Sequence, residues 1–174
     1  MKQVKKIFQT LKKIFLGYET PPCVGVDIGS ASIKMVELCD NSLKIANYSI
    51  NAVTKDLIVD GVINNIEQVS AIILRQWGLF DSESNQVAIA IPYNAVIIKD
   101  ITVPKFKTKY ELDNYVIKQL VQELDTDDID FDYVITLDQL NEQQLLVIVA
   151  KKEKIEEYQA VIQLSGIKIA AIDI

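Results

Sequence analysis

The segment from Cys23 to Leu38 constrains the fold more than any other part of the chain. Two short runs rich in β-forming residues meet there at a turn that begins with Gly29 and is rich in small and hydroxyl side chains. Gly29 permits close approach of an anion, and neighbouring hydroxyl and N–H groups are suited to phosphate. Asp27 lies just before the turn, where a carboxylate can hold the water of a bound Mg²⁺. The segment predicts a phosphate-binding β-hairpin, and a plain hairpin with a polar turn is the alternative.

Residues 1–16 predict a basic amphipathic helix. Five lysines flank a stripe of apolar side chains at helical spacing, namely Val4, Ile7, Phe8, Leu11, Ile14 and Phe15. Gly17 and the Pro21–Pro22 pair end this helix and separate it from the body of the chain. We expect the stripe to bind an anionic membrane surface or a partner. The alternative is a helix that packs on a second lobe of the same protein.

The composition excludes several classes of function. The net charge is −6, and residues 21–174 carry ten more acidic than basic residues, which argues against a nucleic-acid partner. The chain has no histidine, so zinc ligation by histidine and Ser-His-Asp catalysis are excluded. No apolar run is long enough to span a membrane, and residues 1–16 lack the continuous apolar core of a secretory signal.

Hydrophobic patterning predicts an α/β chain with two groups of elements. The first group has β-β-β-α-β order, with strands at 23–28, 31–38, 42–52 and 86–91 and a helix at 67–78. The second group has β-α-β-β-α order, with strands at 94–103, 130–138 and 143–150 and helices at 109–124 and 153–164. A final strand is expected at 167–174.

The run Asp27–Lys34, followed closely by Val36-Glu37-Leu38, resembles the first phosphate motif of the actin-like ATPase superfamily. Further stretches resemble, in the same order, the PilM family of type IV pilus assembly proteins: Val59–Ile63, Val87–Pro92, Ala95–Lys99, Ile101–Pro104 and Leu164–Ile167. The resemblance covers roughly residues 23–174. It implies an actin-like (ribonuclease H-like) half-domain that carries an inserted subdomain, as in the pilus and cell-division branch of the superfamily.

This resemblance also implies the domain limits. Residues 1–22 form the amphipathic helix and linker, 23–93 subdomain 1A, 94–165 the inserted β-α-β-β-α subdomain 1C, and 166–174 a strand that returns toward 1A. Family members have a second lobe, which supplies a second phosphate loop and an adenosine-binding segment that these 174 residues do not contain.

The resemblance assigns a partial ATP site to the first hairpin. It places the nucleotide phosphates against Gly29, Ser30, Ala31 and Ser32. Asp27 is then the Mg²⁺ ligand through water, Lys34 adds positive charge, and Asp173 faces Asp27 across the cleft. We expect ATP and Mg²⁺ to bind weakly or not at all to this chain, and we expect no catalytic residue and no measurable hydrolysis.

The resemblance also implies a partner, the short cytoplasmic N-terminal peptide of the membrane protein PilN. The peptide is expected in a groove between the first subdomain and the insertion, lined by Ile91, Pro92, Tyr93, Leu112 and Val116. The alternative is that these residues only pack the subdomains together.

The resulting hypothesis is a cytoplasmic scaffold of type IV pilus assembly and twitching motility. It is peripheral at the inner membrane, contacts other pilus inner-membrane components, and is capable of self-association. An FtsA-like membrane-associated cytoskeletal protein and an actin-like ATPase or kinase fragment are the alternatives.

Overall fold

The computed structural model describes residues 23–39 and 44–173. The predicted helix and linker over residues 1–22 lie outside the described residues. The strands are β1 Val24–Ile28, β2 Ser32–Leu38, β3 Ile45–Ala52, β4 Ile58–Val59, β5 Val62–Ile63, β6 Gln86–Ala90, β7 Val96–Pro104, β8 Ile129–Asp138, β9 Glu142–Lys151 and β10 Lys168–Asp173. The helices are α1 Ile66–Leu79, α2 Lys109–Leu124 and α3 Lys152–Leu164, and a single 3₁₀ turn spans Tyr93–Ala95. The predicted α/β class and the order of the main elements are confirmed.

A five-stranded mixed sheet forms the first subdomain, with strand order β10-β6-β1-β2-β3. Strands β1, β2 and β3 pair antiparallel, whereas β6 pairs parallel with both β1 and β10. Alternate residues of β1 point to opposite faces, so Val24, Val26 and Ile28 are buried while Asp27 is exposed. One face of β1 is therefore buried, and the other carries Asp27.

Helices α1 and α3 share the first hydrophobic core with this sheet. Val69 and Ile73 of α1 and Tyr158 and Val161 of α3 are all completely buried in it. Helix α1 begins at Asn65, whose side-chain oxygen accepts a hydrogen bond from the Gln68 N–H and so caps the helix.

A three-stranded antiparallel sheet of order β7-β9-β8 forms the inserted subdomain with α2. Leu112, Val116 and Leu120 of α2 pack against Leu145 and Val147 of β9 in a second core. Thr108 and Glu111 cap the helix reciprocally, each accepting a hydrogen bond from the other's backbone N–H. The helix predicted at 109–124 is confirmed with the same bounds.

Helix α3 was grouped with the inserted subdomain of residues 94–165 by sequence order, and its packing corrects that grouping. Its buried residues Ile155, Tyr158, Val161 and Ile162 belong to the first core rather than the second. The core of the insertion is built from one helix and three strands, in β-α-β-β order. The helix returns to the five-stranded sheet because its apolar stripe matches the buried face there.

A small hairpin of β4 and β5, not predicted from the sequence, packs on the first core beside the segment that enters the insertion. Its turn residues Asp60 and Gly61 have φ angles of 50° and 76°, as a two-residue hairpin turn requires. The Gly61 carbonyl accepts hydrogen bonds from Lys154 Nζ at 3.2 Å and from the Tyr158 hydroxyl at 3.3 Å. Burial, followed by the nearby Glu157 carboxylate, raises the pKa of Tyr158.

The same hairpin is fixed at two further points. Glu157 accepts a hydrogen bond from the Ile63 N–H and pairs with Lys154. On the other side, the Asn94 side-chain amide donates to the Asp60 carbonyl oxygen at 3.0 Å. The hairpin therefore joins α3 to the segment through which the chain enters the insertion.

We expect Gly61→Ala to lower the free energy of unfolding by more than the roughly 1–2 kcal/mol that a left-handed backbone costs a non-glycine residue. The added Cβ would also lie 3.0 Å from Pro92 Cγ. Chemical denaturation followed by circular dichroism measures this loss.

Two glycines are the controls. Gly166→Ala has a similar φ of 74° but no neighbour within 4 Å, so it should show the backbone cost alone. Gly78→Ala lies in a helix with open space around it and should stabilise by about 0.5–1 kcal/mol. Equal losses of unfolding free energy for Gly61→Ala and Gly166→Ala would contradict a close contact between the β4–β5 hairpin and Pro92.

Candidate functional site

The predicted phosphate loop is a tight connection between β1 and β2. Ile28 pairs with Ile33, and the Gly29 N–H donates to the Ser32 carbonyl oxygen at 3.1 Å. A Cβ on Gly29 would lie 3.2 Å from that carbonyl, which explains the glycine. Ser30 and Ala31 are exposed at the tip of the turn. These two residues are therefore the part of the loop most open to an anion.

Asp27 and Asp173 lie at the same end of three neighbouring parallel strands. Both residues are in register with Ala90 of β6, one from each side, so they lie two strand spacings apart, about 10 Å. The three strands run parallel and end at this edge. The Ile91 N–H continues the pairing by donating to the Asp173 carbonyl oxygen at 2.7 Å.

Lys34 is the cross-strand partner of Asp27. Its ammonium donates to Asp27 Oδ2 at 2.8 Å, and the two side chains are 53% and 55% exposed. An exposed ion pair of this kind contributes only about 0–1 kcal/mol to stability. A Mg²⁺ ion or a phosphate can therefore replace it at low cost, and the residues present fit a phosphate and a water-bound Mg²⁺.

No group of three or more Asp, Glu, Cys or His side chains is placed to hold a metal within residues 23–39 and 44–173. Mg²⁺ retains several waters and is usually bound through one or two carboxylates together with substrate phosphates. Asp27 suits that mode of binding and not an all-protein cage.

The residues predicted to line a peptide groove are separated by burial. Ile91 is 3% exposed in the first core, and Leu112 and Val116 are 5% and 0% exposed in the second core. These three side chains cannot contact a peptide in this conformation, which corrects that part of the prediction. Pro92 is half-buried, and Tyr93 is 76% exposed at the crossover between the subdomains.

Strands β7 and β9 carry further apolar side chains on the insertion. Strands β7 and β9 pair so that Ile98 lies beside Ile148, on the sheet face opposite α2. Ile98 is 40% exposed and Ile148 is half-buried. The continuous apolar run at 145–150 is typical of a strand with contacts on both faces. Tyr93, Ile98 and Ile148 are defined here as the crossover surface.

A shallow pocket of about 590 Å³ lies elsewhere, between β7 and α2. It is lined by Ile101, Thr102, Gln119, Leu120, Gln122 and Glu123. None of these residues belongs to the phosphate loop or to the predicted groove. No helix in the described part of the chain is long and apolar enough to cross a membrane.

Comparison with solved structures shows similarity to a PilM–PilN type IV pilus biogenesis complex. The TM-score is 0.79 at 18% identity, and the match covers 87% of this chain and 47% of that one. The cytoplasmic domain of EpsL, an inner-membrane component of the type II secretion system of Vibrio cholerae, matches with a TM-score of 0.58 at 11% identity. That match covers 88% of this chain and 57% of the other. The chain thus spans about half the length of these structures.

These neighbours have the actin-like ATPase fold, which confirms the predicted fold class. The comparison with curated proteins gives no match. The family model for the type IV pilus assembly protein PilM matches residues 25–174, which include the β1–β2 turn, the second core, most of the first core and Asp173. The chain therefore belongs to the PilM family of type IV pilus assembly proteins.

Proposed function

We propose that this chain acts as a scaffold of type IV pilus assembly that binds the cytoplasmic N-terminal peptide of PilN and is thereby recruited to the inner membrane. The family match over residues 25–174 carries the proposal. The fold similarity to a chain of a PilM–PilN complex supports the choice of partner.

The crossover surface is our proposed contact for the peptide. Tyr93 follows Pro92 directly and is 76% exposed, and Ile98 and Ile148 are apolar side chains on one face of the insertion. Exposed aromatic side chains next to apolar area are frequent sources of binding energy. Asp100, exposed two residues beyond Ile98 on the same face, suits a peptide with basic residues.

We expect Tyr93→Ala to weaken binding of a synthetic PilN N-terminal peptide at least tenfold, because an aromatic anchor typically contributes about 2 kcal/mol or more. Isothermal titration calorimetry of the full chain measures the affinity. Tyr110→Ala is the matched control, since Tyr110 is also a tyrosine, is 71% exposed, and lies in the first turn of α2.

The outcomes distinguish an error in the proposed contact surface from an error in the proposed partner. Equal affinities for Tyr93→Ala and the unmodified chain would overturn the crossover surface but leave the partner in place. No saturable binding by the unmodified chain, shown to be folded by circular dichroism, would overturn PilN binding by these residues.

We further propose that the loop and the two facing carboxylates form the phosphate half of a MgATP site. Ser30 and Ala31 would contact phosphate oxygens, Lys34 would add positive charge, and Asp27 would hold the metal through water. Bound Mg²⁺ supplies neutralisation of phosphate charge. Affinity is expected to be weak and turnover absent, because a single phosphate loop gives few contacts to the nucleoside.

We expect Asp27→Asn to abolish the Mg²⁺ dependence of nucleotide binding while the free energy of unfolding changes by about 0–1 kcal/mol. Nuclear magnetic resonance titration with ATP, with and without Mg²⁺, detects weak binding. Asp100→Asn removes one exposed acid from the insertion instead and should leave the titration unchanged. Phosphate release above the buffer background, or an unaltered Asp27→Asn titration, would contradict this assignment.

A further inference from the structure

The insertion meets the first core over a small apolar base. Ala150, near the end of β9, is buried in the first core, and Ala95 and Val96, where the chain enters β7, pack against that core. Farther along the same two strands, Val103 and Val147 belong to the second core. Small side chains at the base interdigitate little and so resist rotation of the insertion only weakly. Contacts outside the base therefore contribute to its orientation.

Two side chains of α3 form one set of such contacts by holding the β4–β5 hairpin. Glu157 accepts a hydrogen bond from the Ile63 N–H and pairs with Lys154. The Lys154 ammonium in turn donates to the Gly61 carbonyl oxygen at 3.2 Å. A Cβ at Gly61 would lie only 3.0 Å from Pro92 Cγ, so the hairpin that they hold lies directly against the crossover into β7. Lys154 and Glu157 are defined here as the hairpin clasp.

A second set of contacts lies at the opposite side of the insertion. The Lys152 N–H donates to the Asp128 carbonyl oxygen at 3.2 Å, and its ammonium donates to the Asp127 carbonyl oxygen at 2.9 Å. Both acceptors immediately precede β8, which flanks β9 on the side away from β7. Helix α3 continues from the central strand β9 and thus supports the outer strands on both sides.

The two sets differ in their exposure to water. The side chains of Lys154 and Glu157 are 19% and 15% exposed, whereas Lys152 is an exposed residue. Water can replace the hydrogen bond of an exposed ammonium, but a partly buried donor that loses its acceptor is left unsatisfied. The hairpin clasp is therefore the stronger restraint, and Glu157 is its central member because it contacts both the hairpin backbone and Lys154.

We propose that Glu157 is a positioning residue for the insertion. Through the hairpin clasp it holds the β7 side in place and so fixes the orientation of the three-stranded sheet relative to the five-stranded sheet. With the clasp open, the insertion turns about the base at Ala150 while both cores stay folded. This restraint is independent of PilN binding and of nucleotide binding.

Pulsed electron–electron double resonance between two spin labels tests the orientation. Labels at Leu79→Cys and Leu140→Cys suit this measurement, because the two leucines are 81% and 88% exposed, at the end of α1 and at the tip of the insertion. The full chain also carries Cys23→Ala and Cys39→Ser, so that only these two positions are labelled. We expect one narrow distance distribution in this parent and a distribution at least about twofold broader after Glu157→Ala.

Two variants distinguish the role of Glu157 from a general effect on α3. Glu156→Ala is the matched control, because Glu156 is the preceding acid of the same helix and is exposed, and it should keep the narrow distribution. Glu157→Gln should restore most of the narrow distribution, since its amide oxygen can still accept the Ile63 N–H. Hydrogen exchange should show the Ile63 amide exchanging at least about tenfold faster in Glu157→Ala, with the amides of β1 and β6 unchanged.

Three outcomes would overturn the proposal. The first is a narrow distribution in Glu157→Ala together with fast exchange at Ile63, which would show that the clasp holds the hairpin alone. The second is equal broadening in Glu156→Ala and Glu157→Ala. The third is a parent distribution that is already as broad as that of Glu157→Ala. If Glu157→Ala loses the slow exchange of β1 and β6, Lys154→Met opens the clasp from its other side, and a narrow distribution in that variant would be equally contrary.

Discussion

Parallel pairing of β6 with both β1 and β10 is the interaction on which the other features of this molecule depend. It sets Ala90 between Asp27 and Asp173 and so brings together two acids that are far apart in sequence. It also ends all three strands at one edge, where the phosphate loop emerges from β1 and the crossover emerges from β6. The proposed phosphate loop and the proposed peptide contact at Tyr93 are therefore neighbours, because they follow the ends of the adjacent strands β1 and β6.

Hydrogen bonds of the β4–β5 hairpin also fix the segment that follows β6. Lys154, Glu157 and Tyr158 of α3 hold the hairpin from one side, and Asn94 holds it from the other. Lys154 and Glu157 are only 19% and 15% exposed, so loss of either partner leaves a largely buried charge unpaired. The crossover is therefore fixed by the first core, although it leads into the second.

Local patterning predicted the β1–β2 hairpin and helix α2, because alternation and three-to-four spacing report directly on which side chains are buried. The groove prediction rested on the family resemblance. It included Leu112 and Val116, although their three-to-four spacing already identifies them as core residues. Helix α3 was assigned to the wrong core because an apolar stripe indicates packing without identifying its partner. The β4–β5 hairpin was missed because two-residue strands are too short for alternation, although the Asp60–Gly61 pair is a strong turn signal.

The junction between β9 and α3 has a mechanical consequence. Strand β9 ends at Lys151 and α3 begins at Lys152, so no loop separates the insertion from the helix that packs on the first core. The other connection passes through Pro92, whose ring fixes one backbone torsion. Any rotation of the three-stranded sheet must be absorbed at these two short joints or be passed to α3. Helix α3 is followed after a three-residue turn by β10, so we expect a displacement of α3 to shift the strand that ends at Asp173.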